Sequence, residues 1–197
     1  TEVASQDEER LVKAFTAAKE LGVPVVNVGP TGKMNVEGDL EKNIASLKKL
    51  AGIAKEYGVT LCCKAHVGAS MFDTDTTLAA MAAIPDQSIG IDMDPSHIHR
   101  AGEKPEEALP KVISRVRHIH IRDCKGPGPS PGAPRDQACG KGDINLQGYF
   151  KAMVDAGYKG PGVLEVIGPD QSIEAATAIS AESYGYMNAC LVALGAR

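Results

Sequence analysis

The chain alternates between two hydrophobic periodicities, and this alternation limits the folds that it can adopt. Short apolar runs rich in β-branched residues, at 23–29, 59–66, 88–94, 116–123 and 161–167, predict buried strands. Apolar residues at helical spacing predict helices near 5–21, 40–57, 76–84, 105–115, 146–156 and 172–191, the first of them opening with a capping-box pattern, Ser5-Gln6-Asp7-Glu8. Such alternation predicts a parallel α/β sheet with helical crossovers, either an open doubly wound sheet or a closed barrel.

Size and composition predict one folded domain over residues 1–197. The chain is 43% hydrophobic and 23% charged, which is ordinary for a globular protein. It has no apolar run near the ~20 residues that span a bilayer, and its first ten residues lack a signal-peptide core. A formal charge of −4 without a basic patch disfavours nucleic acid as a partner. Five cysteines without a CxxC pair favour reduced thiols, so we expect a cytoplasmic protein.

Polar side chains lie near the carboxyl ends of four successive predicted strands. Because side chains alternate between the faces of a strand, those of one strand that share parity share a face. They are Lys64 and His66, then Asp92 and Asp94, then His118, His120 and Arg122, and finally Glu165. Buried charges are costly unless they are paired, and the strand ends of a barrel surround one mouth. One site with carboxylates and imidazole is therefore expected, and such donors suit Mg²⁺, Mn²⁺ or Zn²⁺.

Four motifs follow one another in the second half of the chain: Asp94-Pro95-Ser96-His97, His118-Ile119-His120-Ile121-Arg122-Asp123, Gly140-Lys141-Gly142-Asp143, and Gly157-Tyr158-Lys159-Gly160 followed by Glu165-Val166. In order and spacing they resemble the sugar phosphate isomerase/epimerase group of the xylose isomerase-like TIM barrels. The resemblance covers essentially the whole chain. It implies a single (β/α)-barrel domain of which the last five βα units are present, with the N-terminal strands missing.

The resemblance also implies a set of site residues. One divalent metal ion, Mn, Mg or Zn, is expected on Asp94, His120 and Glu165. Substrate contacts are expected from His66, His97, Arg122 and Asp123. The family usually has a glutamate ligand two residues before the position of His66, and here that residue is Lys64. Because a lysine repels a neighbouring cation, we expect either a lysine base of lowered pKa or a weak or empty metal site.

The implied activity is the isomerisation or epimerisation of a carbohydrate or sugar phosphate through an enediolate. Glu165 is the expected base, and Lys64 or a substrate hydroxyl returns the proton. Two alternatives remain: a lyase or dehydratase that uses the same site on a keto-sugar or cyclitol, and a metal-free sugar-binding relative. A related DNA repair endonuclease is disfavoured because residues 135–138 lack the histidine that it requires. The expected partner is a small carbohydrate, with a homo-oligomer left open.

The predicted strand at 116–123 is followed by a long irregular segment, residues 124–142, rich in glycine and proline. Loops of this length inside compact α/β domains more often have a function than form a surface insertion without one. We expect this segment to contribute to the site, with a substrate phosphate near either Arg122 or Lys125.

Overall fold

The computed structural model describes residues 2–3, 5–169 and 171–197. The chain forms two compact units, one made of Thr1–Met93 with Ser114–His118 and the other of Asp94–Ile113 with Ile119–Arg197. None of the helices in the described part is both long and apolar enough to cross a membrane.

The first unit consists of parallel strands that are connected by helices. In chain order its elements are β1 (Glu2–Val3), α1 (Glu8–Leu21), β2 (Val25–Val28), α2 (Asp39–Tyr57), β3 (Thr60–Lys64), α3 (Thr74–Ala83), β4 (Ile89–Met93) and the first half of β5 (Val116–Ile121). Strands β1 to β4 pair in chain order, and every pair is parallel. Each crossover between β2, β3 and β4 is therefore a helix, as the alternating pattern predicted.

Local sequence explains where the helices of this unit begin and end. Helix α1 buries Leu11, Phe15 and Ala18 and ends at Gly22, whose φ of 67° is the left-handed conformation that glycine favours. The predicted start at Ser5 was wrong, because the carboxylate of Asp7 accepts the N–H of Arg10 and caps the helix instead.

The second unit contains the second half of β5 and most of the motifs that the sequence singled out. Its elements are α4 (Pro95–Arg100), α5 (Pro105–Val112), a 3₁₀ turn (Pro134–Gln137), α6 (Leu146–Asp155), β6 (Gly162–Leu164) and α7 (Ile173–Ala193). Strand β5 pairs with β6 in parallel, with Ile119 opposite Gly162 and Ile121 opposite Leu164. The parallel strands and helical crossovers confirm the α/β prediction.

The apolar faces of the helices and strands form the core of each unit. Phe15, Leu47 and Leu61 have no exposed surface in the first unit, and neither has Tyr149 in the second. Burying a side chain of this size contributes about 1.5–3 kcal/mol relative to exposure. Packing on one face of each strand leaves the other face for the polar residues that follow.

Candidate active site

The guanidinium of Arg122 is the centre of a buried ionic cluster in the second unit. Only 1% of its side chain is exposed. Nη2 donates to Asp94 Oδ2 at 2.7 Å and lies 3.1 Å from Glu165 Oε2, while Nε donates to Ser96 Oγ at 2.9 Å. One fixed cation therefore contacts two carboxylates that the sequence placed at the ends of different strands.

Asp94 has both a structural and an electrostatic role. It directly follows β4 and is the N-cap of α4, with Pro95 as the first helical residue. Its Oδ1 accepts the backbone N–H of Ser96 at 2.8 Å and the hydroxyl of Ser96 at 2.7 Å. The other oxygen, Oδ2, contacts Arg122. The carboxylate of Asp94 is thus fixed in direction from both sides.

Two guanidinium groups flank the buried ring of His97. Arg122 Nη2 is 3.0 Å from Nε2, and Arg100 Nη2 is 2.8 Å from Nδ1 and 3.3 Å from Nε2. Arg100 is itself held by the carbonyl oxygens of Ser96 and Pro129, and burial lowers its pKa. Sequence reasoning missed Arg100, because it lies outside the predicted strands whose parity indicated the polar residues.

Glu165 is the accessible carboxylate of the cluster. It follows β6, and its backbone N–H donates to Ile121 O at 3.1 Å, which extends the strand pairing past Leu164. Its side chain is 20% exposed, whereas that of Asp94 is fully buried. Of the two carboxylates, Glu165 is therefore the one that solvent reaches.

The first unit has a cluster of polar side chains of its own, and these side chains lie on β2, β4 and β5. Asp92 Oδ1 is 2.9 Å from His118 Nδ1, and Asn27 Nδ2 lies 3.1 Å from the same nitrogen. Lys64 is also buried, and its backbone is in register with that of Asp92 in the neighbouring strand. The parity of β4 had placed Asp92 on the polar face, but Asn27 sits in an apolar run that gave no signal of a site.

Carboxylate and imidazole groups that suit a metal ion occur in both units. In the first unit, Asp92 Oδ1 lies 2.9 Å from His118 Nδ1, and both residues are buried. Carboxylate and imidazole groups are common ligands of divalent cations, so this pair offers two of the ligands that such an ion needs. In the predicted set, Asp94 and Glu165 both contact Arg122.

The remaining predicted substrate residues lie in different surroundings. His66 is exposed and lines a cavity of about 440 Å³ in the first unit, together with Gly29, Pro30 and residues 67–69. Its Nδ1 is 2.9 Å from the carbonyl oxygen of Val67.

Asp123 is buried against the long loop that follows β5. Its Oδ1 accepts the backbone N–H groups of Cys124 at 2.9 Å and Ile144 at 3.2 Å, and its Oδ2 accepts that of Gly140 at 3.0 Å. Burial raises the pKa of this carboxyl, and the backbone donors act in the opposite direction. Through these hydrogen bonds, the Asp123 carboxylate connects the two ends of the loop.

Parallel strand–helix repeats with acidic, basic and imidazole groups at the strand ends define a protein of the (β/α)-barrel class. The chain belongs to the xylose isomerase-like TIM barrel family, whose pattern matches residues 2–190.

The chain is also similar to curated proteins and to solved structures. The chain is 27% identical over 185 residues to an inosose dehydratase of Clostridium perfringens, covering 77% of this chain and 62% of that protein. It thus spans about six-tenths of that relative. A D-tagatose 3-epimerase-like protein superposes with a TM-score of 0.75 at 20% identity, over 97% of this chain and 76% of the other. The IOLI protein with a bound zinc atom gives 0.76 at 19% identity, over 94% and 75%. These two structures show the fold alone.

Proposed function

We propose that the chain is part of an enzyme that removes a proton from the carbon beside the carbonyl of a keto-sugar or cyclitol ketone, with Glu165 as the base. The observation that supports this most is the contact between the partly exposed Glu165 carboxylate and the buried Arg122 guanidinium at 3.1 Å. A base and a fixed cation side by side suit a reaction in which negative charge develops on a carbonyl oxygen.

Each residue of the cluster has a distinct proposed role. Arg122 orients Glu165 and stabilises the developing oxyanion, while His97 contacts substrate hydroxyls. Asp94 and Ser96 hold the Arg122 guanidinium, so that little reorganisation is needed during the reaction. His66 contributes to substrate binding, and Asp123 acts through the loop that its carboxylate holds.

The fate of the enolate decides the class of reaction. If the neighbouring carbon loses hydroxide, which leaves as water after protonation, the product is an unsaturated ketone and the enzyme is a dehydratase. The relative named inosose dehydratase supports this outcome. If Lys64 or a substrate hydroxyl returns the proton instead, the product is an isomer or epimer. The four motifs that resemble the isomerase/epimerase group support this second outcome.

A divalent cation belongs to the same proposal. The family resemblance implies the ligands Asp94, His120 and Glu165, whereas Asp92 and His118 form a separate donor pair in the first unit. When bound, such an ion polarises a substrate carbonyl oxygen as a Lewis acid. Metal content of the purified variants Asp92→Asn and Asp94→Asn distinguishes the two sets, because only the true ligand set loses metal. Absence of any divalent ion in the parent protein would support the metal-free alternative.

The test of the base is hydrogen exchange into substrate. An inosose and a ketohexose are incubated with the protein in D₂O, and NMR follows deuterium beside the carbonyl and the product formed. Glu165→Gln is expected to abolish exchange while the protein stays folded. Glu182→Gln, at a carboxylate that pairs with Arg135 and is 39% exposed, is the matched control and should exchange like the parent. Undiminished exchange in Glu165→Gln would end the assignment of the base.

A further inference from the structure

The long loop at residues 124–142 carries a glutamine whose side chain is completely buried, Gln137. Its Oε1 accepts the backbone N–H of Ile167 at 2.9 Å, and its Nε2 donates to the carbonyl oxygen of the same residue at 2.6 Å. Nε2 also donates to Gly132 O at 3.1 Å. The carboxamide therefore satisfies both backbone polar groups of Ile167, in the way that a neighbouring strand would.

Ile167 lies two residues beyond Glu165, in the extension of β6. Glu165 is anchored by its own N–H, which donates to Ile121 O at 3.1 Å. Beyond Glu165, Ile167 is 49% exposed, so its side chain contributes little packing that would hold residues 166–167 in place. Because side chains alternate along extended backbone, rotation of this segment would turn the Glu165 carboxylate away from Arg122. The two bonds from Gln137 oppose that rotation.

Gln137 is itself firmly held. It ends the 3₁₀ turn Pro134–Gln137, and its carbonyl oxygen accepts the N–H of Asp123 at 3.0 Å. On the other side of the contact, a Cβ at Gly168 would lie 2.8 Å from Pro134 Cγ, so the turn and the strand extension approach more closely than a side chain there would allow. A continuous set of contacts thus connects the end of β5 to the backbone that follows Glu165.

We propose that Gln137 is a positioning residue for Glu165, and that the loop at residues 124–142 serves catalysis by fixing the backbone of Ile167. This inference rests on the proposed role of Glu165 as the base. Gln137 does not touch substrate, so its loss affects the orientation of the base more than substrate binding.

The test compares three variants of the protein with the parent. Gln137→Met has similar length and no polar side-chain atoms, whereas Gln137→Glu keeps an acceptor for the Ile167 N–H and loses the donor. Gln171→Met is the matched control, because Gln171 lies four residues beyond Ile167, is exposed and donates to Pro169 O. The measurements are kcat and KM for deuterium exchange into an inosose or a ketohexose, and the hydrogen-exchange protection of the Ile167 amide.

Gln137→Met is expected to lower kcat by about 10- to 100-fold with KM within about twofold, as small misplacements of a catalytic group do. The Ile167 amide should lose protection in the same variant. Gln137→Glu should lose less of kcat than Gln137→Met at acidic pH, with each compared to the parent at the same pH, because only a protonated carboxyl can both accept from the Ile167 N–H and donate to its carbonyl oxygen. This variant answers the question if Gln137→Met does not fold.

Failure of this inference is distinct from failure of the proposed function. An active Glu165→Gln variant refutes the base itself. If Glu165→Gln is inactive while both Gln137 variants keep the parent kcat, Gln137 does not position the base. The same conclusion holds if kcat falls but the Ile167 amide stays fully protected.

Discussion

Replacing Arg122 with Met would leave two carboxylates of the second unit without their shared cation. The exposed fraction is 1% for the Arg122 side chain, 0% for Asp94 and 20% for Glu165. Removing one partner of a buried ion pair costs about 3–5 kcal/mol, because the remaining charge is buried without compensation. Glu165 is partly solvated, so we take the lower end, about 3 kcal/mol, for the loss in free energy of unfolding. With a urea m-value of about 2–3 kcal/mol/M, the midpoint should fall by roughly 1–1.5 M.

A double-mutant cycle with Asp94→Asn isolates the pair from other losses. Unfolding is followed in urea with a chelator present, so that metal binding does not contribute. The double variant should be more stable than the sum of the single effects predicts, by about 1.5–3 kcal/mol. Additivity to within about 0.5 kcal/mol would refute the argument that Arg122 compensates a buried Asp94 charge. Lys104→Met, which breaks an exposed pair with Glu107, should leave the midpoint unchanged.

Three further predictions concern the rest of the chain. Arg115→Met removes a guanidinium that donates to four backbone carbonyl oxygens, so it should lower the free energy of unfolding by about 2–4 kcal/mol in urea titrations. The backbone N–H of Ser88, then its hydroxyl and Lys55, lower the pKa of Asp86 to about 2. Its stabilisation is present above the unfolded pKa of about 3.9 and disappears as pH falls through about 2, so Asp86→Asn should flatten the acid limb of stability between those values. All five cysteines are buried, and burial raises the pKa of Cys124 to about 11, so thiol reagents at pH 8 should label the protein only on unfolding.

Each of these three predictions has a result that would contradict it. A parent-like urea midpoint for Arg115→Met would show that its carbonyl contacts add nothing. Parallel stability curves for parent and Asp86→Asn between about pH 2 and pH 4 would remove the role assigned to that carboxylate. Labelling of native protein as fast as that of denatured protein would contradict the burial of the thiols.

The strands were predictable because their signal is local. All five predicted runs form strands, each within the predicted limits, because β-branched runs between glycine and proline breakers leave few alternatives. Strand β1 has only the residues Glu2–Val3, too few to show a pattern. Helix α4 was missed because its short stretch, Pro95–Arg100, is below the length at which apolar periodicity appears.

The sequence indicated the charged groups of the Arg122 cluster but not how they pair. Strand parity placed Asp94, His120, Arg122 and Glu165 on polar faces without any structural information. Which carboxylate contacts which cation depends on the register and twist of separate strands, and no short-range pattern encodes these. Gln137 illustrates the limit, since its partner Ile167 is 30 positions away and an isolated glutamine in a loop carries no signal.

Gly142 sets a boundary for any redesign of substrate preference. A Cβ at this position would lie 2.2 Å from Asp123 Oδ1 and 2.3 Å from the carbonyl oxygen of Cys124, so even alanine would force the carboxylate away from the amides that it holds. Libraries that diversify residues 124–142 should therefore keep position 142 invariant. Gly126 and Gly128 should be kept as well, because their positive φ strains any other residue although a Cβ there would meet no atom within 4 Å. The exposed residues Lys125 and Pro127 are better positions to vary.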